Sequence, residues 1–465
     1  MQKLDLTVGE LCEILESEPV GMTSRLAKRK VKICFDSREA GPGVVFWPLK
    51  GARFDAHEFI PQVMEKGALM SVMDETRAKD FSADVYIPVD DTNAALLKLA
   101  KGYQRLFKLK KIAVTGSNGK TTTKEMLKTV LSEQFHTVAT EGNFNNQIGV
   151  PKTIFRFKHS DEVAVVEMGT SGPGEIHPLS MAVEPDIAVI TNVGASHLER
   201  LGSLDNVFKE KATIADGLRK GGLLVVNADD VRLSKLRSNK SRRVLTFGIK
   251  RGVIRPEGLT WDARACASFR IGRTEFRLNV PGIHNVYNAL AAIAVATSLR
   301  MPKSTVARAL EKFHAANMRM EIRNGVGIKV VSDCYNANPS STRMALQTIG
   351  SLERSGRKIA VLGDMLELGD KSAELHREIG ELVARMRFDL LVAVGKWSEN
   401  TRAGALACGM DKESAVHFED TEKAMAFLSE NVRFGDILLV KGSRGMKMER
   451  IVERLLRLEP IAVNH

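Results

Sequence analysis

An apolar strand-like segment runs into a short glycine loop, T-G-S-N-G-K-T at residues 115–121, and a helical pattern follows it. A loop bounded by Gly116 and Gly119 can turn its backbone N–H groups toward a phosphate chain, and the next helix offers the positive end of its dipole. Lys120 adds a positive charge, while the hydroxyl of Thr121 is placed to hold Mg²⁺. A strand-to-helix turn with a surface lysine is the structural alternative. Because both flanking elements are present, the segment favours binding of a nucleoside triphosphate.

The formal net charge of +12 limits the classes of partner. A basic balance indicates nucleic acid, an acidic membrane surface or small anions. No block of five or six like charges occurs, and the aromatic residues are too scattered to form a surface for base stacking. The sequence therefore favours small anionic ligands, and we expect no nucleic-acid partner.

The cysteine pattern indicates the cellular compartment. The five cysteines form no C-x-x-C pair and have no regular spacing, which is typical of reduced thiols in a cytosolic protein. Acidic residues stand near the N-terminus, where a signal peptide would need an apolar core. No apolar run approaches the ~18–20 residues of a membrane span. We expect a cytoplasmic, monomeric protein with no membrane insertion.

The order of predicted elements indicates an α/β protein, and 465 residues suggest about three domains. We predict a small α/β domain at residues 1–108, a central α/β domain at 109–322 and a C-terminal Rossmann-like α/β domain at 323–465. In the first of these, Thr7 and Glu10 fit a helix capping box.

Largely apolar strands alternate with helices in the second and third predicted domains, as in parallel sheets covered on both faces. Residues 269–280 alternate in period two around a turn at Gly272, which predicts an antiparallel excursion before an alanine-rich helix at 286–299. In such sheets, ligands bind beyond the carboxyl ends of the strands. The predicted strands are 110–114, 162–168, 186–193, 222–227, 327–332, 358–362, 389–394 and 436–440, and the helix after the glycine loop is predicted at 122–135.

Several polar side chains of the central domain follow predicted strands. Glu167 ends the run V-A-V-V-E, where a carboxylate can ligate Mg²⁺; an N-cap or a surface acid is the alternative. His197 follows another strand, and a lone histidine is often structural. Lys211 taken alone fits an exposed helix lysine.

Two groups of amides are further candidates. Asn143, Asn145 and Asn146 form a dense cluster that could bind sugar hydroxyls or phosphate edges, unless it is only a polar turn. Asn285 and Asn288 precede the alanine-rich helix, where an amide could hydrogen-bond the edge of a purine. Helix capping is the alternative for this pair.

Further blocks accompany these residues in a fixed order: F-D-S-R (35–38), L-K-G-A-R-F-D-A-H-E-F (49–59), T-G-S-N-G-K-T-T-T-K (115–124), N-F-N-N-Q-I-G-V-P (143–151), E-M-G-T-S-G-P-G-E-I (167–176), D-C-Y-N-A-N-P (333–339), V-L-G-D-M-L-E-L-G (361–369) and V-K-G-S-R-G-M-K-M-E (440–449). With His197 and Lys211, they make the chain resemble the Mur ligases, ATP-dependent enzymes that build the peptide stem of peptidoglycan. The resemblance covers essentially the whole chain.

The resemblance implies an ATP-dependent amide ligase that works through an acyl phosphate. The blocks at 333–339, 361–369 and 440–449 are similar to the branch that adds D-alanyl-D-alanine to UDP-N-acetylmuramoyl-tripeptide, the last cytoplasmic step toward the peptidoglycan pentapeptide. Residues 1–108 would then bind the uridine nucleotide, 109–322 would bind ATP, and 323–465 would contact the dipeptide and ATP. The sequence leaves the third residue of the tripeptide open, as lysine or diaminopimelate.

The resemblance also implies roles for individual residues. Catalysis would depend on Lys120, His197 and Lys211, the last as a carbamate formed with CO₂, and two Mg²⁺ ions would be held by Thr121, Glu167, His197 and the carbamylated Lys211. ATP would contact Thr115, Gly116, Ser117, Asn118, Gly119, Lys120, Thr121, Thr122, Asn285, Asn288, Arg319 and Asp333. The other substrates would contact Asp36, Ser37, Arg38, Asn143, Asn145, Asn146, Asn336, Asn338, Asp364, Leu366 and Ser443.

The chain departs from the family pattern at two places. Ala56 stands where the family has a glycine, and Ala212-Thr213 stand where it has Gly-Glu after the lysine. The rivals are a neighbouring Mur ligase, a folylpolyglutamate-type ligase, a simple P-loop kinase or NTPase, and a binding protein without catalysis. The blocks at 361–369 and 440–449 disfavour the first two, and a simple kinase or NTPase would not need the loops of the third domain. The joint presence of Lys120, Thr121, Glu167, His197 and Lys211 disfavours the last.

Overall fold

The computed structural model describes residues 1–51, 54–80, 85–314, 318–352 and 356–458. Residues 52 and 53 of the block at 49–59 lie outside this part. Four sheets organise the described chain. Short 3₁₀ helices connect some of their elements, at Ala56–Phe59, Glu75–Asp80, Thr213–Ala215, Leu233–Lys235, Gly369–Lys371 and Arg444–Met446.

The N-terminal elements are β1 (Gln2–Thr7), α1 (Val8–Leu15), α2 (Ser24–Ala27), β2 (Lys30–Cys34), β3 (Val45–Phe46), α3 (Ile60–Glu65), β4 (Met70–Asp74), β5 (Tyr86–Val89) and α4 (Thr92–Gln104). Their five strands form one sheet in the order β1-β2-β3-β4-β5, in which only β1 pairs antiparallel. The predicted capping box is confirmed, because the side chain of Thr7 accepts from the Glu10 N–H and that of Glu10 accepts from the Thr7 N–H.

The central elements are β6 (Lys110–Thr115), α5 (Lys120–Leu131), β7 (Thr137–Ala139), α6 (Gly149–Ile154), β8 (Val163–Glu167), α7 (Ile176–Val183), β9 (Ile187–Ile190), α8 (Leu198–Leu201), α9 (Leu204–Ala212), β10 (Gly222–Asn227), β11 (Arg242–Phe247), β12 (Glu257–Trp261), β13 (Cys266–Ile271), β14 (Thr274–Pro281), α10 (Ile283–Ser298) and α11 (Lys303–Glu311). The order β11-β10-β9-β6-β8-β7 makes a parallel sheet. The loops after β6, β8 and β9 therefore meet at one edge.

The antiparallel excursion predicted around Gly272 is confirmed. Strands β13 and β14 pair antiparallel within a separate three-stranded sheet, and Gly272 has a φ of +62° in the turn between them. Helix α10 follows and packs its buried alanines against α5. This helix brings Asn285 and Asn288 beside the glycine loop.

The C-terminal elements are β15 (Glu321–Asn324), β16 (Lys329–Asp333), α12 (Pro339–Gly350), β17 (Lys358–Gly363), α13 (Ser372–Arg385), β18 (Leu390–Val394), α14 (Ser398–Ala407), β19 (Ala415–Phe418), α15 (Thr421–Asn431), β20 (Ile437–Lys441) and α16 (Glu449–Leu455). The sheet order is β15-β16-β20-β17-β18-β19, with β15 antiparallel at the edge. Because β15 starts at Glu321, the boundary predicted between residues 322 and 323 falls inside a strand of this sheet.

The apolar cores connect the first two units. One cluster runs from the N-terminal sheet through α4 into one face of the central sheet, and it includes Trp47, Leu99, Tyr103, Phe155 and Val166. The two faces of the C-terminal sheet have clusters of their own. In the part of the chain that the structure describes, no helix combines the length and apolarity that a membrane crossing requires.

Candidate active site

A cavity of about 450 Å³ opens at the carboxyl edge of the central sheet, between the glycine loop, α10 and the start of the C-terminal unit. It brings together residues that are more than two hundred positions apart in the chain. The predicted residues that line it are Ser117, Asn118, Gly119, Lys120, Thr121, Thr122, Asn143, Asn145, Asn146, Glu167, His197, Asn285, Asn288, Arg319, Asp333, Asn336 and Asn338.

Side chains that follow β9 and that belong to α10 contact the glycine loop. The side chain of Asn192 accepts from the Asn118 N–H at 2.9 Å and donates to the Asn118 carbonyl at 3.0 Å. Gly119 has a φ of +79°, and a Cβ there would lie 2.3 Å from Oδ1 of Asn288. Glycine is therefore required for the loop and α10 to approach this closely. Asn192, which follows β9, was not identified from the sequence.

Replacing Gly119 with alanine should weaken ADP binding. The methyl group forces the loop away from Asn288, and overpacking of this kind costs about 1–3 kcal/mol. Gly221→Ala is the matched control, because Gly221 has a similar φ of +75° and no atom of the described residues within 4 Å of an added Cβ. Calorimetric titration with ADP measures both affinities. Equal affinities in the two variants would contradict the prediction.

Lys120 is the first residue of α5 and directly follows the glycine loop. Its ammonium donates to the carbonyl of Gly116 at 2.8 Å. Burial lowers the pKa of Lys120, the nearby Glu167 carboxylate opposes that shift, and the Arg319 guanidinium adds to it. A half-buried cation with a single neutral acceptor is stabilised by an anion, so the site favours phosphate oxygens at this position.

Glu167 ends β8 and faces the loop. Its Oε1 accepts from the Thr121 hydroxyl at 3.1 Å and from the Asn145 amide at 2.8 Å. Its Oε2 is buried and has no hydrogen-bond partner among the residues that the structure describes. An orphaned carboxylate oxygen beside a hydroxyl suits Mg²⁺, which prefers such oxygen ligands.

The protein supplies only part of a metal shell. Within the described ranges, no three His, Cys, Asp or Glu side chains cluster closely enough to hold an ion by themselves. Mg²⁺ is commonly held by one or two carboxylates together with substrate phosphates and water. The donors present fit that mode of binding, with Glu167 and Thr121 as the protein ligands.

Lys211 is buried in α9, with 1% of its surface exposed. This excludes the exposed helix lysine that its local pattern suggests. Its ammonium makes no hydrogen bond or ion pair with any residue in the described part of the chain. Burial, and to a smaller extent the charge of Lys120, bring the pKa of Lys211 well below its usual range, while Glu210 opposes the shift.

Glu210 organises the loop that leads into α7. Its carboxylate accepts backbone N–H bonds from Gly174 at 2.7 Å, Glu175 at 2.9 Å and Ile176 at 2.8 Å. The hydroxyl of Thr213 donates to the Glu210 carbonyl at 2.6 Å. The family pattern has a glutamate two residues after the lysine, and this chain has Thr213 there. The carboxylate of Glu210, directly before Lys211, caps the loop at residues 174–176.

Amides and a histidine form the wall at α10. Asn288 donates to Oδ1 of Asn285 at 3.1 Å and accepts from the Thr123 hydroxyl at 3.2 Å. Nδ1 of His284 is buried without a partner among the described residues. Burial lowers the pKa of His284 to about 4, against the opposing charge of Asp333. The ring is therefore neutral at pH 7 and can accept a hydrogen bond.

The C-terminal unit contributes charge to the same cavity. An Arg319 N–H donates to the hydroxyl of Thr121 at 3.1 Å, and its guanidinium lies 3.9 Å from the ring centroid of Tyr335. Lys441 pairs with Asp333 at 2.6 Å. Tyr335 and Lys441 line the cavity but were not singled out from the sequence, although both lie within recognised blocks.

Two further pairs of side chains join the C-terminal unit to the central loops. Asn338 donates to Oδ1 of Asn118 at 2.7 Å, beside the phosphate loop. His197 meets Glu367 at 2.5 Å between Nδ1 and Oε2. Both contacts therefore depend on the relative placement of the two units.

Some predicted residues lie elsewhere. Asp36 and Arg38 form an ion pair at 2.6 Å on the N-terminal unit, and Ser37 lies between them in the chain. Asp364 is buried and accepts from the Ser398 N–H at 2.8 Å. The remaining predicted residues outside the cavity lining are Thr115, Gly116, Lys211, Leu366 and Ser443, of which Leu366 donates its N–H to the Ser443 hydroxyl at 2.9 Å.

Models of two families match this chain: the Mur ligase middle domain at residues 114–296 and the Mur ligase, glutamate ligase domain at residues 318–444. UDP-N-acetylmuramoyl-tripeptide–D-alanyl-D-alanine ligase of Bacillus subtilis (strain 168) is 38% identical over 429 residues, covering 91% of this chain and 93% of the relative. The enzyme of the same name from Escherichia coli (strain K12) is 33% identical, with 97% and 98% covered.

Solved structures of similar proteins have the same fold over nearly the whole chain. Crystal structure I of MurF from Acinetobacter baumannii has a TM-score of 0.89 at 31% identity, covering 97% of this chain and 99% of that one. MurF from Thermotoga maritima in complex with ADP has a TM-score of 0.82 at 29% identity, covering 92% and 97%. The α/β fold expected from the sequence is confirmed. The chain belongs to the Mur ligase family.

Proposed function

We propose that this chain is an ATP-dependent ligase that adds D-alanyl-D-alanine to UDP-N-acetylmuramoyl-tripeptide in peptidoglycan synthesis. The relatives that carry this name cover nearly the whole chain at 31–38% identity. The observation that carries the proposal is the cavity in which Lys120, Thr121 and Glu167 meet Arg319 and Asp333. Such a site can grip a triphosphate between two units.

The reaction needs activation because a carboxylate and an amine do not condense at neutral pH. The tripeptide carboxylate attacks the γ-phosphorus of ATP, the bond between that phosphorus and the bridging oxygen breaks, and ADP leaves. The dipeptide amine then attacks the acyl carbon and forms a tetrahedral intermediate. Collapse of this intermediate releases phosphate, and the amine proton passes to solvent or a base. The protein contributes positioning and charge stabilisation rather than a nucleophile.

Different residues of the cavity stabilise phosphate charge and bind the nucleoside. The loop N–H groups, Lys120 and Arg319 neutralise the phosphate oxygens during transfer. Asn285 and Asn288 bind the adenine edge, and Asp333 binds the ribose. Two Mg²⁺ ions, when bound through Thr121, Glu167, His197 and a carbamylated Lys211, supply further neutralisation of phosphate charge.

Carbamylation of Lys211 fits its surroundings. A buried amine with a lowered pKa and no hydrogen bond within the described residues is available as a nucleophile. The neutral amine adds to CO₂, one proton leaves the nitrogen, and a carbamate anion results. Beside a metal-phosphate site, this replaces a repelling ammonium with an attracting carboxylate.

The other substrates lie at the remaining predicted positions. In this proposal the domain at residues 1–108 binds the uridine diphosphate through Asp36, Ser37 and Arg38, and the amides at 143–146 bind the muramoyl portion. The domain at 323–465 binds the dipeptide through Asn336, Asn338, Asp364, Leu366 and Ser443. We propose a monomer that acts in the bacterial cytoplasm without nucleic acid or membrane insertion.

The test is a direct assay of the purified chain. Mg-ATP is supplied with UDP-muramoyl-tripeptide ending in lysine or in diaminopimelate, together with D-alanyl-D-alanine or single amino acids. We expect phosphate release and a product of pentapeptide mass only with the dipeptide. Ligation of a single amino acid instead would assign the chain to another branch of the family, and phosphate release independent of the acceptor would indicate a simple ATPase.

A further inference from the structure

The loop after β17 contacts the central unit through a side chain to which the sequence assigned no role. The Glu367 carboxylate meets Nδ1 of His197 at 2.5 Å. Its backbone carbonyl accepts from the Glu199 N–H at 3.2 Å. The contact spans 170 positions of sequence and joins two different sheets. A side-chain bond and a backbone bond therefore fix Glu367 against the turn that carries His197.

Both partners have backbone conformations that most residues avoid. His197 has a φ of +53° and Glu367 a φ of +63°, in the left-handed region that favours glycine. Such strain persists when surrounding contacts impose it, and it concentrates at functional sites. Gly369 has a φ of +59° and approaches the backbone of Glu199, where an added Cβ would lie 3.3 Å from its Cα. The backbone conformation of residues 367–369 therefore allows this segment to lie close to the turn that carries His197 and Glu199.

The pair contributes little as a stabilising ion pair. The Glu367 side chain is 56% exposed and that of His197 is 21% exposed. Ion pairs this open to solvent add little to folding stability because water screens them and the side chains lose freedom. The contact is therefore better explained by what it does to the imidazole ring than by what it adds to stability.

The contact determines which ring nitrogen is free. With Nδ1–H donating to Glu367, the unprotonated Nε2 is left as the acceptor, and His197 lines the cavity that contains Glu167. The partner of one ring nitrogen fixes the tautomer and the orientation of the other. A carboxylate in this position is the usual outer-shell partner of a histidine that binds a metal.

We propose that Glu367 is a positioning residue that orients His197 toward the metal-phosphate site when the C-terminal unit docks on the central unit. This rests on the proposed function for the identity of the reaction. The docking that brings the dipeptide-binding domain to the cavity then also prepares the imidazole. Leu375 of α13 supports the same contact, because it packs against Leu198 and Leu201 of α8.

The test compares Glu367→Ala and Glu367→Gln with Glu374→Ala in the full chain. Glu374 is an exposed carboxylate on α13 with no hydrogen bond to another described residue, so its loss should change nothing. ¹⁵N spectra of histidine-labelled protein at alkaline pH report the tautomer of each neutral ring, and the signal that disappears in His197→Asn belongs to His197. We expect Nδ1–H in the wild type and in Glu367→Gln, and Nε2–H in Glu367→Ala.

A second measurement uses Mn²⁺ as the probe. In the presence of ADP, Glu367→Ala should raise the half-saturating Mn²⁺ concentration of the weaker site about 10–100-fold, with a similar fall in kcat. The KM for ATP should stay nearly constant. An unchanged tautomer and unchanged Mn²⁺ binding in Glu367→Ala would overturn the proposal, as would equal losses in Glu374→Ala or loss of the Nδ1–H form in Glu367→Gln. Absence of ligase turnover in the wild type would refute the proposed function. The tautomer and Mn²⁺ measurements would still test the positioning role of Glu367 in that case.

Discussion

Replacing Lys120 with alanine is expected to slow phosphate release by at least about 10²–10³-fold, the range for loss of one preorganised donor to a developing negative charge. Lys120 begins α5 and is aimed at the phosphate loop, where its only hydrogen bond to a described residue is to the Gly116 carbonyl. In the proposed reaction it moves from that neutral acceptor to the phosphate oxygens. Among the residues that the structure describes, Lys441 is the only other lysine that lines the cavity, and it is paired with Asp333.

The same substitution should leave the fold intact. Removing a half-buried ammonium that has a single neutral acceptor relieves part of a desolvation cost, so the melting temperature should not fall. Lys128→Ala is the matched control, since Lys128 lies exposed on the same helix. Phosphate release and thermal unfolding are measured on both variants. Normal turnover by Lys120→Ala would refute the role of the loop lysine, and a large drop in melting temperature would show that the residue is structural.

Replacing Lys211 with alanine is expected to lower activity by a similar factor, about 10²–10³-fold. The reason differs, because the proposal assigns catalysis to the carbamate rather than to the ammonium. A short carboxylic acid such as acetate should restore part of the activity by occupying the space that the side chain leaves. Acetate should not rescue Lys120→Ala, in which a cation is missing.

The carbamate itself can be observed without turnover. Protein equilibrated with ¹³C-bicarbonate should show a carbamate resonance that disappears in Lys211→Ala. Lys209→Ala should retain it, because Lys209 is an exposed lysine on the same helix. Absence of that resonance in the wild type together with full activity of Lys211→Ala would exclude carbamylation as part of the mechanism.

The parallel sheets could be predicted because their strands are buried on both faces. Apolar runs such as Val163–Glu167 and Ile437–Lys441 are fully buried, so the continuous pattern indicates them directly. Edge strands gave no such signal: β12 and β15 are mostly exposed, and neither was predicted. Helix α5 starts at Lys120 rather than at the predicted residue 122, because Gly119 supplies its N-terminal cap in a left-handed conformation.

The centre of the candidate site could be predicted for a topological reason. Strands β6, β8 and β9 are neighbours, so the loop lysine, Glu167 and His197 follow strand ends at one edge. Contacts between separate sheets have no local signature. Glu367 contacts His197 across the junction with the central unit, and Lys441 pairs with Asp333 at the carboxyl edge of the C-terminal sheet. Only the structure identifies these partners.

Lys211 shows the limit of local patterns. The charged residues directly before it, Lys209 and Glu210, fit a solvated helix face, yet the Lys211 side chain is 1% exposed. Helix α9 packs against α7 and α8, which its local sequence does not indicate. Only the family resemblance, and not the periodicity of the helix, pointed to this residue.

The apolar cluster that runs from the N-terminal sheet into the central sheet joins these two units into one frame with a continuous core. The C-terminal unit has cores of its own and meets that frame through polar contacts and the small group around Leu375, the type of junction across which relative motion is expected. In the proposed reaction, the span from the uridine anchor to the γ-phosphorus then depends on how the N-terminal and central units pack. A peptide stem one residue too short or too long is expected to place its acid end away from that phosphorus, so this packing would select the substrate by length.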